Sequence, residues 1–498
     1  MGNKINNQLK IVGDFLQKNA WTIFILLIFA TLYSLISLVN HYNFRTYAFD
    51  LGIYNNVIYS YSNFSFNSNP VMHIEFDNVL SDHFSLLLMF FAPLRYIFGS
   101  YTLLIVQILA ILFGGMGAYA FVLHLTKRKL YANMALVHFL SSFAIFSALS
   151  FDYHDNVVGA MFVPWIIYFF YKKEWRNTII FSILVLISKE NMSLWLGFVF
   201  AGLFLLHYKD KTSRRFAIGG ILVSFIYFVT IMGFVMPAIA NEGKQYGHFK
   251  YAALGETPLE ALGNIFQKPK QLFSLLFENP GDKAYDGIKT ELHYVVLLSG
   301  GIALLYKPQF LLMLLPIYAQ KLYHNEYVKW GINIHYSIEF TAILTLVLFV
   351  WILSWHKNTK FKTLFIVLFT LVSLITSFSV LDRRTSKWYS GVKTQFYKKK
   401  HYKQSFDIKQ VNKYLDLVPD NVKVAAQTNL VPHLAFRDRI YTFPYVRDAD
   451  YIVLIPSSKA TYPLKAKQFT QKINYYKSDP KFDILVDTTD FLLLKRKE

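Results

Sequence analysis

Five stretches of the chain, residues 21–40, 101–124, 130–151, 216–236 and 361–381, approach or exceed the run of apolar residues that a membrane helix needs. Roughly 20 such residues let a helix cross about 30 Å of hydrocarbon. These runs take the chain out of the soluble class. Composition agrees: 54% of the 498 residues are hydrophobic and 16% are charged, against roughly 25% charged in a soluble domain. The net charge of +20 is not a nucleic-acid footprint, because much of it sits in short clusters between apolar runs, the mark of cytoplasmic loops. With no cysteine, disulfides, thiolate nucleophiles and cysteine metal sites are excluded. The first apolar run is too long for a signal-peptide core and is expected to be retained as a helix.

The basic clusters give a topology. They are Lys4, Lys10 and Lys18; Lys127 to Lys129; Lys172, Lys173 and Arg176; Lys209, Lys211, Arg214 and Arg215; Lys307; and Lys357, Lys360 and Lys362. If all face the cytoplasm, the helices between them come in pairs. Between Lys18 and Lys127 only two crossings fit, so the short run 84–98, with Pro93 and Arg95, is expected as an interfacial or re-entrant helix within an external loop, 41–100. By the same parity 177–207 is a hairpin with Lys189, Glu190 and Asn191 at its outer tip, and 292–320 turns at Lys307 and Pro308. Helices 336–355 and 361–381 then complete eleven spans. The expected architecture is a polytopic α-helical membrane domain, 1–381, followed by a small external α/β domain, 382–498. The N-terminus is expected on the cytoplasmic side. In the tail, strands are expected at 423–426, 440–443, 451–455 and 491–496, with a helix near 406–417. It carries 23 Lys and Arg against 12 Asp and Glu, a basic face suited to anionic headgroups.

On this topology the unusual polar residues gather at the outer ends of helices. Asp50 lies between apolar residues just beyond the first span; desolvation strengthens a carboxylate as a proton acceptor, which suits a general base, while a helix cap is the structural alternative. Asp82 and His83 pair a carboxylate with an imidazole, for proton transfer or a cation, or Asp82 caps the helix after it. Asp152, Tyr153, His154 and Asp155 occupy a very short external turn that, taken alone, reads more readily as a solvated loop. Lys189 and Glu190 suit a phosphate and the group that holds its lysine, or a self-neutralising pair. His335 and Tyr336 enter the tenth span, with Glu339 one turn on; a packed histidine is the plainer meaning. No defined cofactor is implied. A divalent cation is the open possibility, since His73, Glu75 and Asp77 share one face of an extended segment shortly before Asp82 and His83. Gly-rich phosphate loops, His-Glu-x-x-His and Gly-x-Ser-x-Gly are missing from the sequence.

Several short strings together carry a resemblance: Phe49-Asp50-Leu51-Gly52-Ile53-Tyr54, Asp82-His83-Phe84-Ser85, Ala92-Pro93-Leu94, Phe151-Asp152-Tyr153-His154, Lys189-Glu190-Asn191, Ile334-His335-Tyr336, Asn429-Leu430-Val431-Pro432-His433-Leu434 and Arg439-Ile440-Tyr441. Across nearly the whole chain they resemble a family of bacterial predicted membrane proteins, domain of unknown function 2079. Its architecture in turn resembles the GT-C glycosyltransferases, which use polyprenyl-phosphate sugars and keep a catalytic Asp in the first external loop. That resemblance implies transfer of a sugar from a polyprenyl-phosphate carrier to an envelope acceptor on the outer face of a bacterial inner membrane. Asp50 matches the catalytic position. Lys189, with Arg45, Arg95 or His335, then meets the carrier phosphate, Asp82 and His83 position the acceptor or a cation, and His154, Asp155, Glu190 and Tyr336 line the substrate site. Two departures stand out: Tyr54-Asn55-Asn56 replaces the usual Phe-Asp-Gln continuation, and Asn191 stands where an acidic residue is usual. A transporter or lipid flippase, and a non-enzymatic envelope assembly protein, are the rival classes. The first predicts ionisable groups at the midplane and paired halves, whereas here the candidates crowd one face.

Overall fold

The computed structural model describes residues 14, 16–65, 69–71, 78–241, 247, 250–255, 258–279 and 281–497. Most of these are helical. Among the described residues, five helices are long and apolar enough to cross a membrane: Ala20–Tyr42, Leu88–Thr126, Lys211–Ile239, Lys283–Tyr306 and Thr359–Asp382. A sixth span results if Lys129–Leu140 and Phe143–Leu149, bent by 45° at their break, are taken together. Four shorter apolar helices, Asp155–Tyr171, Trp175–Leu186, Glu190–Leu206 and Ile338–Leu353, fill the bundle.

Ile338–Leu353 sits at its centre, with every residue from Ile338 to Phe349 buried. A helix apolar all round must be surrounded by others. Its few polar groups are paired across the bundle: Glu339 with Asn156, Thr341 with Ser142, and Thr345 with His138. Buried hydroxyls and amides demand such partners.

The helical turns expected over 84–98 begin at Leu88 instead and run on to Thr126. Residues 83–86 stay outside the helix, and the backbone N–H groups along this stretch bond elsewhere. Phe84 N–H donates to Glu190, and those of Leu86 and Leu87 both donate to Ile187 O. Asp82 therefore caps no following helix; it closes the turn Val79–Asp82, whose cap is Asn78.

Strands β1 (Val424–Ala426), β2 (Ile440–Thr442), β3 (Tyr451–Leu454) and β5 (Leu492–Arg496) fall on the four expected runs, and β4 (Phe482–Asp487) joins them. The order is β2-β1-β3-β5-β4, parallel among the first three and antiparallel beyond. Period-two alternation sends Ala425, Ile452 and Leu494 under helix Ala466–Ser478, against Phe469 and Ile473. The opposite face, with Val424, Ala426 and Val453, shares one core with Phe44, Ala48 and Val71 from beyond the first span. The sheet is thereby seated on the segment that carries Asp50.

Candidate functional site

The segment after Ala20–Tyr42 makes a single wide turn, Ala48–Gly52, closed by Gly52 N–H to Tyr47 O, 3.0 Å. Gly52 is required here: a Cβ at this position would lie 2.9 Å from Val431 Cγ1 of the seated sheet domain. The cap at this turn is Tyr47, without a side-chain hydrogen bond, so Asp50 is no helix cap. Its carboxylate, partly exposed, meets His154 Nε2 at 3.1 Å.

His154 is fixed on three sides. Its backbone N–H donates to Gln107 Oε1, 3.0 Å. Its ring stacks on His335, with centroids 3.5 Å apart, and Phe151 packs beside both rings at 5.3 and 6.3 Å. His335 is presented by Ile334, whose φ of 59° turns the chain sharply. Beside them Asp152 Oδ2 accepts the Tyr47 N–H at 2.7 Å. Burial pushes the Asp152 carboxyl up to about 6, although Lys393 pulls the other way. Lys393 Nζ itself rides over the rings of Tyr47 and Phe151, 4.4 and 5.4 Å from their centroids.

A second group forms where the helix pair Trp175–Leu186 and Glu190–Leu206 breaks. Lys189 takes an extended conformation there and starts the second helix. Lys189 Nζ donates to His83 Nε2 at 3.3 Å, and His83 Nδ1 meets Glu190 Oε1 at 3.1 Å. Glu190 Oε2 accepts the Phe84 N–H at 3.0 Å. Burial and the Lys189 charge lower the proton affinity of His83, while Glu190 opposes them.

Charge joins the two groups. His335 is held well below its ordinary value by burial and by the charges of His154, Lys189, His83 and Lys329. Lys329, lowered to about 8 chiefly by burial, lies 3.0 Å from His324 Nε2 and 5.3 Å from the Tyr336 ring centroid. Tyr153 donates to Asp155 Oδ1 at 2.8 Å. Several buried polar atoms here have no hydrogen-bond partner among the described residues: Nδ1 of His154 and of His335, Oδ1 of Asp152, Oδ2 of Asp155 and Oε2 of Glu339. Unsatisfied buried groups are costly and call for an explanation, a bound molecule being one. The arrangement offers a carboxylate oriented by an imidazole, with a cluster of cations beside it.

Two expected members stand apart. Arg45 donates to His401 O and Lys403 O, both at 2.5 Å, and so ties the chain to the tail. Arg95 donates to Ser62 and Tyr96 and stacks on the Tyr96 ring. His73, Glu75 and Asp77 lie outside the described residues. Among the described residues no group of three His, Asp or Glu is arranged to hold a metal. Gln107 and Lys329 carry no signal in the sequence; Phe151 stands out only within the family string, and Lys393 only within the basic tail that suits anionic headgroups.

The sequence pattern described as "Predicted membrane protein (DUF2079)" matches residues 40–475. The chain belongs to this family. Among curated proteins none matches. Among solved structures, ArnT from Cupriavidus metallidurans, crystallised bound to undecaprenyl phosphate, aligns with a TM-score of 0.51 at 8% identity, over 96% of this chain and 98% of that one. At that identity the likeness is one of fold. This DUF2079 chain shares the overall fold of ArnT.

Proposed function

We propose that this protein transfers a sugar from a polyprenyl-phosphate carrier to an envelope acceptor at the outer face of a bacterial inner membrane. Counting the shorter helices and Pro308–Leu322 as crossings gives eleven spans, with the N-terminus cytoplasmic and residues 382–498 outside. The observation that carries the reading is the Asp50–His154 pair, 3.1 Å apart, beside Lys189, His83 and Lys329 on an ArnT-like fold.

In this mechanism the Asp50 carboxylate takes the proton of the acceptor hydroxyl as its oxygen bonds to the anomeric carbon. The bond from that carbon to the carrier phosphate breaks, and the polyprenyl phosphate leaves as an anion. Lys189, supported by Glu190 through His83, meets that phosphate with Lys329 and His335. His154 orients Asp50. His83 and Asp82 flank the acceptor, with Tyr336 and Asp155 on the walls.

The test uses purified protein in nanodiscs supplied with extracted bacterial membrane lipids, and free undecaprenyl phosphate is measured by mass spectrometry. Asp50→Asn is expected to lower its release by a factor of about 10² to 10⁴, the usual contribution of a general base, with unchanged membrane abundance. Release at the unsubstituted rate would remove Asp50 from the mechanism.

A further inference from the structure

Beyond helix Thr359–Asp382 the chain runs through residues 383–403 with eight Lys and Arg and no Asp or Glu. This strip is stitched to the ends of two membrane helices. On Thr359–Asp382, the Gln395 amide donates to Asp382 O at 3.0 Å, and Tyr397 and Lys398 reach its carboxylate at 2.9 and 2.7 Å. On Ala20–Tyr42, His401 Nε2 meets Leu35 O at 2.8 Å, and the Asn40 amide donates to Lys393 O at 2.9 Å. Leu35 lies nearly two turns inside its helix, so the strip is held at the level where these helices pass from lipid to water. Facing outward along it are Lys387, Lys399, Lys400 and Lys403, together with the half-exposed rings of Trp388 and Tyr402.

Trp and Tyr concentrate at membrane–water interfaces. Basic residues near a lipid surface attract anionic headgroups. The charge also sits at the end of the bundle remote from Lys129, which bonds Lys18 O before the first helix, so it opposes the usual cytoplasmic signal.

We propose that residues 383–403 form a collar that binds anionic phospholipid headgroups in the leaflet at the site end of the bundle. The same strip holds Lys393 over Tyr47 and Phe151, which joins the collar to the Asp50 group.

The test is Trp388 fluorescence in the full-length protein, reconstituted in phosphatidylcholine nanodiscs that carry the same minor fraction of chain-brominated phosphatidylglycerol or phosphatidylcholine. The Trp388 signal is the difference between the unsubstituted protein and Trp388→Phe. At low salt the phosphatidylglycerol form is expected to quench about fivefold more effectively, the enrichment that one cation near the surface supplies. The substitution K387Q/K399Q/K400Q/K403Q is expected to abolish that preference, while K459Q/K467Q/K472Q/K481Q, an equal charge loss on the sheet domain, leaves it intact. Equal quenching by the two lipids overturns the proposal, and so does a preference that survives K387Q/K399Q/K400Q/K403Q. No turnover is measured, so failure here leaves the reading of Asp50 untouched.

Discussion

His154 and His335 stack ring on ring, with centroids 3.5 Å apart and planes 22° from parallel. They come from connections far apart in the chain that meet at the same end of the bundle, and the stack helps to hold His154 against Asp50. Two imidazoles so close repel each other when both are protonated, in keeping with the depressed proton affinity of His335.

The stack yields the first prediction. His335→Ala removes the plate behind His154 and should lower kcat roughly 10- to 100-fold by misplacing Asp50. His335→Phe restores a ring of similar area but no nitrogen. It should recover most of kcat while KM for the carrier lipid stays raised, because the phosphate contact is still missing. Steady-state kinetics on both variants check this; recovery of KM along with kcat would confine His335 to a packing role.

A pH dependence follows from Asp152. Its folded-state pKa of about 6 lies above the ordinary 3.8, so between those values the folded protein binds more protons than the unfolded one. Stability from this group is present at low pH and is lost as pH rises through about 6. Asp152→Asn keeps an oxygen for the Tyr47 N–H and removes the titration. Thermal melting between pH 4 and 7 should show the unsubstituted protein losing ground to Asp152→Asn as pH rises, by on the order of 1 to 3 kcal/mol; parallel curves would contradict the assignment.

Glu190 is 1% exposed and receives both His83 and the Phe84 N–H. Truncation to Ala strips a buried donor of its acceptor, at a cost of about 1 to 3 kcal/mol, and unbalances Lys189. Glu190→Ala should therefore lower the melting midpoint clearly, and Lys189→Ala in the same chain should recover part of the loss. A coupling of at least about 0.5 kcal/mol in the double-mutant cycle is expected for groups in one network. Strict additivity would mean that Lys189 and Glu190 act separately.

Much of this is legible in the sequence. The strands of the tail announced themselves because β1, β2, β3 and β5 are short apolar runs bounded by turn residues. β4 did not, because most of its side chains are exposed and its pattern lacks a buried stripe. Among the site residues, the polar strings around Asp50, His154, Lys189 and His335 marked helix ends correctly, since ionisable groups there are expensive without a partner. Their partners could not be read. Nothing in the sequence distinguishes an arginine that awaits a phosphate from Arg45, which is spent on two backbone carbonyls. Nor does sequence separation reveal that Asp50 meets His154 while Asp152, two residues away, meets Tyr47.

The departure Asn55-Asn56 acquires a meaning from the same geometry. Asn56 Nδ2 donates to Ala435 O and Arg437 O, both at 2.9 Å, and Asn55 Nδ2 to Pro432 O at 3.0 Å. These amides latch the sheet domain onto the segment that carries Asp50. Asn56→Leu should leave two buried carbonyls unpaired and loosen the latch by about 1 to 3 kcal/mol per group. Hydrogen exchange should quicken around Val431–Leu434 while helix Ile338–Leu353 stays protected. Unchanged exchange at 431–434 would show that the apolar contacts alone hold the domain.

Arg45 and Lys189 were both matched to the carrier phosphate from sequence, and their surroundings separate them. The Arg45 guanidinium is anchored on His401 O and Lys403 O at the junction with the tail, whereas the Lys189 ammonium lies beside His83 and the His335 group, with one nitrogen partner at 3.3 Å. A hydrogen bond to a charged group contributes about 1.5 to 3 kcal/mol, so Lys189→Ala should weaken equilibrium binding of undecaprenyl phosphate roughly 10- to 100-fold. Arg45→Ala should leave that affinity within about twofold and instead lower the melting midpoint, because two backbone acceptors lose their donor. If affinity falls equally in both variants, the phosphate reaches the tail junction and the cation cluster at Lys189 is not where the carrier binds.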